Sequence, residues 1–138
     1  MSIDIQYQIE LVLNDILKFH SELENDKEFA TGTGIRDFGL LESAVNAPFQ
    51  TFDGQDLYEN IFDKAAHLAY GLTNNHGFVD GNKRVAIHAM LVYLMINGID
   101  LEYTQEELVK LGLDMAEGKI LPDEISLWLK SRERLINV

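Results

Sequence analysis

Apolar residues recur every three or four positions along most of the chain, and polar residues occupy the positions between them. This spacing predicts amphipathic helices, each with one face in a core. The predicted helices cover residues 9–23, 39–47, 56–74, 82–97, 104–118 and 122–134. Residues 29–39 and 48–55 contain Gly, Thr and Phe and predict loops or a short hairpin. The pattern therefore predicts one all-α domain over residues 1–138, with a small β-hairpin or loop insertion.

Local sequence signals set several of the predicted helix ends. Asp56 and Glu59 have the spacing of a capping box, in which two side chains satisfy N–H groups at a helix start. Thr104 and Glu107 repeat this spacing before the fifth predicted helix. Pro122 suits the first position of the last helix, because the N–H that proline lacks would be unpaired there. Three residues mark predicted helix ends: Pro48, Gly98 and Gly118.

The helix predicted at residues 82–97 differs from the others because it is apolar on nearly every side. A helix of this kind is buried in the centre of a fold. Directly before it, the nine residues from His76 to Arg84 include a histidine, an aspartate, an asparagine, a lysine and an arginine. This clustering raises the question of what chemistry the polar residues serve.

Composition narrows the possible functions. The chain has a hydrophobic fraction of 46% and a charged fraction of 25%, as ordinary globular proteins have. Its formal net charge of -12 disfavours direct binding to nucleic acid or to an anionic membrane, since both need clustered Lys and Arg. The absence of cysteine excludes disulfides and thiolate metal sites. The first residues lack signal-peptide features and no apolar run is long enough to span a bilayer, so we expect a cytoplasmic protein.

An anion site is predicted at the start of the buried helix. Gly81, Asn82 and Lys83 fall where backbone N–H groups have no helical partner and the helix macrodipole is positive. Such a terminus binds phosphate. Lys83 and Arg84 add cationic donors, and the forked Arg84 guanidinium suits phosphate oxygens. Helix stability alone would favour acidic residues there, so a bound anion explains the two cations.

Two further residues are candidates for chemistry at the same place. Asp80 would repel phosphate on its own, but it becomes useful if it holds Mg²⁺. His76 lies four residues earlier, and an imidazole there can accept a proton from an attacking hydroxyl. Phe78 is expected to anchor the loop in the core. Together these residues predict phosphoryl or nucleotidyl transfer. The alternative is an ordinary loop before a helix, in which Lys83 and Arg84 are simply solvated.

The segment HGFVDGNKR, residues 76–84, resembles the signature of the Fic/Doc superfamily. The Fic branch of that superfamily carries His-x-Phe-x-(Asp/Glu)-Gly-Asn-Gly-Arg-x-x-Arg. The ending Asn-Lys-Arg is more similar to the death-on-curing (Doc) toxin branch. Similarity to that branch covers roughly residues 32–101 and includes the segments GIRDFGLLESAVNAPFQTF and LYENIFDKAAHLAYGLTNNH. The resemblance implies a single Fic/Doc-like helical domain with a buried central helix.

The resemblance also implies roles for individual residues. His76 and Arg84 would be catalytic, with His76 as the general base, and Asp80 would bind Mg²⁺. The phosphates of ATP would lie on four residues: Gly81, Asn82, Lys83 and Arg84. A flap within residues 32–55, including Arg36 and Asp37, would align the backbone of a protein target.

Two departures from the Fic signature concern the reaction. Lys83 replaces a glycine, and Ile87 occupies the position of the second arginine, which disfavours AMP transfer. In Doc-type toxins the same departures accompany a nucleotide bound in the opposite sense. The resemblance therefore implies transfer of the γ-phosphate of ATP to a hydroxyl of a target protein of the translation-factor class. The alternatives are an AMP transferase and a catalytically silent Fic-fold protein that binds only a nucleotide or a partner.

A toxin of this kind arrests growth and is restrained by an antitoxin. Fic enzymes are often restrained by a helix carrying (Ser/Thr)-x-x-x-Glu-(Gly/Asn), but no Ser or Thr of this sequence has Glu four residues later. The resemblance therefore implies an antitoxin in a separate chain.

The other histidines and the single tryptophan are assigned to the fold. His20 and His67 are predicted at the edge of the core or on the surface. His88 could brace the site, but a core histidine is the preferred interpretation. Trp128 is predicted in the core.

Overall fold

The computed structural model describes residues 8–24 and 34–134, which form six α-helices and one two-stranded antiparallel hairpin. The helices are α1 (Leu13–Glu24), α2 (Phe38–Asn46), α3 (Ile61–Asn74), α4 (Asn82–Ile96), α5 (Gln105–Ala116) and α6 (Pro122–Ser131). A 3-10 turn (Ala47–Phe49) follows α2, and the hairpin consists of β1 (Thr51–Phe52) and β2 (Gln55–Asp56). The predicted all-α class with a small hairpin is confirmed.

Helix α4 is the buried central helix that the sequence predicts. It packs along α3, and it also contacts α1 and α5. Six of its residues are buried: Val85, Ala86, Ala89, Met90, Tyr93 and Leu94. Alanine is frequent on both partners, since α3 buries Ala65, Ala66 and Ala69, and small side chains let the two helix axes approach closely. Helix α3 thus forms the main support of α4.

The ends of α5 and α6 follow the local signals in the sequence. Thr104 and Glu107 form the predicted capping box at the start of α5. Pro122 is the first residue of α6. Gly98 and Gly118 follow α4 and α5 with φ angles of 83° and 72°, in the left-handed region that glycine adopts without a steric penalty. These predictions succeed because each depends on groups within one helical turn.

The predicted start of α3 at Asp56 is wrong. Asp56 lies in β2 opposite Thr51, and its carboxylate pairs with the ammonium of the buried Lys64 over 2.8 Å. The helix begins five residues later, where the side-chain oxygen of Asn60 accepts from the N–H of Phe62 at 2.7 Å. The tertiary partner of Asp56 therefore overrides its local capping signal.

The predicted outer ends of the first and last helices are also wrong. Helix α1 begins at Leu13, because the backbone of Ile9 is bonded to the side chain of Asn97, which closes α4. Helix α6 ends at Ser131, and Glu133 then forms a β-bridge with Leu101.

Part of the predicted loop at residues 29–39 lies outside the described residues, as do the first two residues of the predicted flap. Within residues 8–24 and 34–134, no helix has both the length and the apolar character that crossing a membrane requires.

Candidate active site

The loop between α3 and α4, residues 75–81, holds the predicted chemistry and is called the α3–α4 loop below. It begins at Asn75, which closes α3, and ends at Gly81, the residue before the first turn of α4. Gly81 has a φ of 83° and provides no side-chain cap for the N–H groups of α4. The first backbone bond across Gly81 runs from the N–H of Val85 to the carbonyl of Gly81 at 3.0 Å. The start of α4 therefore lacks a side-chain cap, which is the geometry of an anion-binding helix N-terminus, and the anion site itself stays a prediction.

The side chain of Asn82 closes the α3–α4 loop into a ring. Its oxygen accepts from the N–H of Phe78 at 3.0 Å, and its amide donates to the carbonyl of Phe78 at 2.9 Å. The Phe78 side chain is 2% exposed, so this residue anchors the loop in the core as expected. Asn82 was predicted only as a phosphate-binding residue. The structure shows that its side chain also fixes the shape of the loop.

A cleft of about 690 Å³ opens beside the α3–α4 loop. Six of the predicted site residues line it: His76, Asp80, Gly81, Asn82, Lys83 and Arg84. Further lining comes from Leu23 of α1, Thr73 of α3 and the α5 residues Leu108, Val109, Gly112 and Ala116. The side chain of Lys83 runs beside Gly112, where an added Cβ atom would lie 3.5 Å from its methylene carbons. The volume is within the range of small-molecule sites.

The cleft has a basic edge and an apolar wall. Lys83 and Arg84 are exposed at the start of α4, where the helix dipole also favours an anion. The buried hydroxyl of Thr73 lies in the last turn of α3, and it has no hydrogen-bond partner among the described residues. An anionic ligand that also carries an apolar group fits this combination of surfaces.

Arg36 and Asp37 do not line the cleft. The guanidinium of Arg36 donates from Nε to the carbonyl oxygen of His76 at 2.6 Å and from Nη2 to that of Asn75 at 3.3 Å. Asp37 is the N-cap of α2 and accepts from the N–H of Leu40 at 3.0 Å. Both side chains are therefore bonded within the chain, and their predicted role in aligning a target stays a prediction.

The position of Asp80 suits the binding of a cation that a bound ligand also coordinates. Its exposed carboxylate accepts from the N–H of Gly81 at 2.8 Å through one oxygen. Among residues 8–24 and 34–134, no group of three or more His, Cys, Asp or Glu residues is arranged to hold a metal ion. Mg²⁺ commonly uses one or two carboxylates and completes its shell with phosphate oxygens and water. The residues present therefore fit Mg²⁺ bound together with a nucleotide, and they do not form a cage built from protein alone.

His20 is a residue of the site that sequence reasoning missed. It was predicted at the core edge or on the surface, but it is 5% exposed and donates from Nε2 to the carbonyl oxygen of Asp80 at 2.9 Å. The available signal was its position one turn after the buried Ile16 on the same face of α1. That spacing indicates burial, but it does not reveal a contact with a loop sixty residues away.

The remaining aromatic assignments hold in part. His88 lines the cleft and packs edge-on against Phe19, with ring centroids 4.8 Å apart. His88 is therefore part of the wall as well as part of the core edge. Trp128 is partly buried against the core, and the guanidinium of Arg132 lies 5.3 Å from the centre of its ring.

Residues 10–94 match the Fic/DOC family, and this segment includes α1, the hairpin and the whole α3–α4 loop. The chain belongs to the Fic/DOC family. It is also 49% identical over 67 residues to the protein Toxin Doc of Mycolicibacterium smegmatis. That alignment covers 49% of this chain and 52% of the relative, so the chain matches about half the length of the curated protein. The resemblance to the Doc branch that the sequence motif predicts is thereby confirmed.

Proposed function

We propose that this protein is a Doc-type toxin that transfers the γ-phosphate of ATP to a hydroxyl of a protein of the translation-factor class and so arrests growth. One observation carries the proposal: a histidine, a carboxylate and an uncapped, basic helix N-terminus meet in one cleft. Similarity to Toxin Doc over 67 residues supports the toxin role. The role of each residue below belongs to this proposal.

His76 acts as the general base. Its exposed imidazole lines the cleft, where an acceptor hydroxyl can approach it. The acceptor O–H gives its proton to His76, and its oxygen forms a bond to the γ-phosphorus. The bond from that phosphorus to the bridging oxygen breaks, and ADP leaves. Base catalysis of this kind contributes on the order of a hundredfold or more.

The start of α4 holds the phosphates. The backbone N–H groups of Asn82 and Lys83 lie at the positive end of the helix dipole, and the guanidinium of Arg84 adds a forked donor. The Asp80 carboxylate would hold Mg²⁺ beside them, and a cation bound there would supply neutralisation of the phosphate charge. Because phosphoryl transfer depends mainly on positioning and on charge stabilisation, this arrangement can supply most of the catalysis.

Lys83 and Ile87 favour the γ-phosphate as the group transferred. Ile87 lines the cleft one turn after Lys83 and offers no guanidinium for an outer phosphate. Lys83 occupies space that a glycine would leave to the backbone, and it brings a flexible point charge. The AMP-transferring orientation of the nucleotide therefore loses a cationic partner in this chain.

An antitoxin in a separate chain restrains the toxin in this proposal. The sequence has no Ser or Thr followed four residues later by Glu, so it lacks the inhibitory motif of Fic enzymes. The proposal therefore assigns the restraint to another protein. In the proposal, ATP is the phosphate donor, Mg²⁺ is the cofactor, and the reaction takes place in the cytoplasm.

Intact-protein mass spectrometry tests the proposal. Purified translation factors are incubated with the protein, Mg²⁺ and ATP labelled at either the γ- or the α-phosphorus. We expect one factor to gain a phosphate that retains the γ-label and lacks the α-label. Addition of AMP, with retention of the α-label, would replace the kinase assignment by AMP transfer. No modification of any factor, with ATP binding intact, would favour a catalytically silent nucleotide-binding protein. His76→Ala serves as the matched inactive variant.

A further inference from the structure

The guanidinium of Arg36 binds the backbone on which His76 is mounted. Its Nε donates to the His76 carbonyl at 2.6 Å, and its Nη2 donates to the Asn75 carbonyl at 3.3 Å. Asn75 is the C-cap of α3, so its carbonyl belongs to the last turn of the helix, where no further helical N–H follows and where a cation is favoured by the negative end of the dipole. His76 is the next residue and lies outside the helix. Arg36 therefore satisfies two acceptors and complements the helix charge at once.

The backbone around Arg36 grips the same loop. The N–H groups of Arg36 and Asp37 donate to the carbonyl of Gly77 at 2.8 and 3.0 Å. The neighbouring residues on each side, Ile35 and Phe78, form an antiparallel β-bridge. The guanidinium extends this pairing backwards to the two residues that precede Gly77. Residues 75–78 are thus held continuously from one side.

His76 needs such support because its backbone is unfavourable for a residue with a Cβ atom. Its φ angle is 52°, in the left-handed region. Residues other than glycine persist there only where surrounding contacts fix them. The bond from Nε of Arg36 to the carbonyl of His76 fixes the peptide plane that follows His76, and it thereby limits the directions in which the imidazole can point.

We infer that Arg36 is a positioning residue that acts through His76, and that it does not contact the nucleotide or the protein target. This inference rests on the proposed role of His76 as the base. Arg36 does not line the cleft, and its guanidinium is already bonded to the α3–α4 loop. Two donors in a fixed plane are needed to reach two successive carbonyl groups, which an arginine provides and a lysine does not.

The experiment compares four variants of the whole chain, one of which is His76→Ala, without the proposed base. Arg36→Gln removes the charge and the fork, and Arg36→Lys keeps the charge alone. Arg134→Gln is the matched control, because Arg134 is an exposed arginine that pairs with Asp100 away from the cleft. Each variant is assayed for kcat, for the KM of the protein factor that serves as substrate, and for ATP affinity. Each assay is run with and without guanidinium chloride at low concentration.

We expect Arg36→Gln and Arg36→Lys to lower kcat by roughly a hundredfold, the loss that a displacement of about 1 Å in a catalytic group causes. ATP affinity and the KM of the protein target should change less than about twofold, since neither ligand touches Arg36. Guanidinium ion should restore at least about a tenth of the wild-type kcat to Arg36→Gln and nothing to His76→Ala. A loss that appears in the KM of the target would overturn the inference and support the target-aligning flap.

A second measurement does not depend on the proposed activity. In ¹H–¹⁵N spectra of the free protein, Arg36→Gln should shift or broaden the amide signals of residues 75–77, and Arg134→Gln should leave them unchanged. Unchanged signals in Arg36→Gln would refute the positioning role. If the wild-type protein phosphorylates no factor but the spectra change as expected, the proposed function fails and the contact between Arg36 and the loop stands.

Discussion

The imidazole ring of His20 lies flat on the ring of Phe78, with the ring centroids 3.7 Å apart and the planes 3° from parallel. The same imidazole donates from Nε2 to the carbonyl of Asp80. One residue of α1 thus fixes both the buried anchor of the α3–α4 loop and the backbone of the proposed metal ligand. Arg36, just before α2, binds the same loop from the other side. The candidate site is therefore held by two separate parts of the chain.

Replacing His20 should destabilise the fold. His20→Ala loses the ring contact and the hydrogen bond, so we expect the free energy of unfolding to fall by about 1–3 kcal/mol. His20→Phe keeps a stacked ring and should lose less. Lys18→Ala, at an exposed position of the same helix, should change stability by less than about 0.5 kcal/mol. Urea denaturation measures all three, and equal stability of His20→Ala and Lys18→Ala would contradict the role of His20.

Removing the imidazole of His76 should abolish transfer and spare nucleotide binding. Because the proposal places the phosphates on α4 and not on His76, we expect kcat to fall on the order of a hundredfold or more in His76→Ala, with ATP affinity nearly unchanged. His76→Asn is the better control for backbone effects, since Asn tolerates the left-handed conformation that His76 adopts. Near wild-type activity of either variant in a purified assay would remove His76 from the mechanism.

Neutralising Asp80 should uncouple nucleotide binding from Mg²⁺. Asp80→Asn keeps an oxygen that can accept from the N–H of Gly81, as the carboxylate does at 2.8 Å, but it removes the charge. Loss of a partner that merely supports a metal ligand costs about 10–100-fold in affinity, so loss of the ligand itself should cost at least about tenfold. Titration calorimetry with Mg²⁺ or with EDTA measures this effect. A wild-type affinity for ATP that ignores EDTA would exclude the metal assignment.

Gly77 should not tolerate a side chain. A Cβ atom at Gly77 would lie 2.8 Å from Cβ and 3.0 Å from Cα of Leu41, a residue that is 1% exposed. Because α2 cannot move without disturbing the core, Gly77→Ala should destabilise the protein by roughly 1–3 kcal/mol. Gly39→Ala on the exposed face of α2 should have the opposite sign, with a gain of roughly 0.5–1 kcal/mol. Thermal unfolding measures the stability of both variants. Changes of the same sign in Gly77→Ala and Gly39→Ala would contradict the prediction.

His67 should make stability depend on pH below neutrality. Burial lowers the pKa of His67 from its ordinary value of 6.5, and the carboxylates of Asp123 and Asp63 only partly oppose this shift. The unfolded chain therefore binds a proton at a higher pH than the folded chain. The stabilising contribution is complete above pH 6.5 and is lost as the pH falls from there through the lower pKa of the folded state.

The comparison with His67→Gln isolates this contribution, because glutamine does not titrate. We expect the stability difference between wild type and variant, measured as urea midpoints, to stay nearly constant above about pH 6.5 and to decline from there toward about pH 5. A stability difference that stays constant over this range, or that grows toward low pH, would show that burial does not lower the pKa of His67.

The accuracy of the sequence predictions follows the range of the interactions involved. The start of α5 and the N-terminus of α4 were predictable, because Thr104, Glu107 and Gly81 act within one turn of helix. Asp56 was misassigned, because its partner is the ammonium of Lys64 and not its own backbone. The spacing within residues 76–84 indicated a site. The contribution of His20 was not predictable, since no short-range pattern links α1 to the α3–α4 loop.

The pair of Lys64 and Asp56 limits how the hairpin can be engineered. The side chain of Lys64 is only 4% exposed, and β2 supplies its carboxylate partner. Deleting residues 51–56 would leave an ammonium ion buried without that charge, at a cost of roughly 3–5 kcal/mol. A truncated protein could then lose activity through unfolding, whatever the hairpin does for a target. The informative deletion therefore carries Lys64→Met as well, because methionine fills the same space with an unbranched, uncharged side chain.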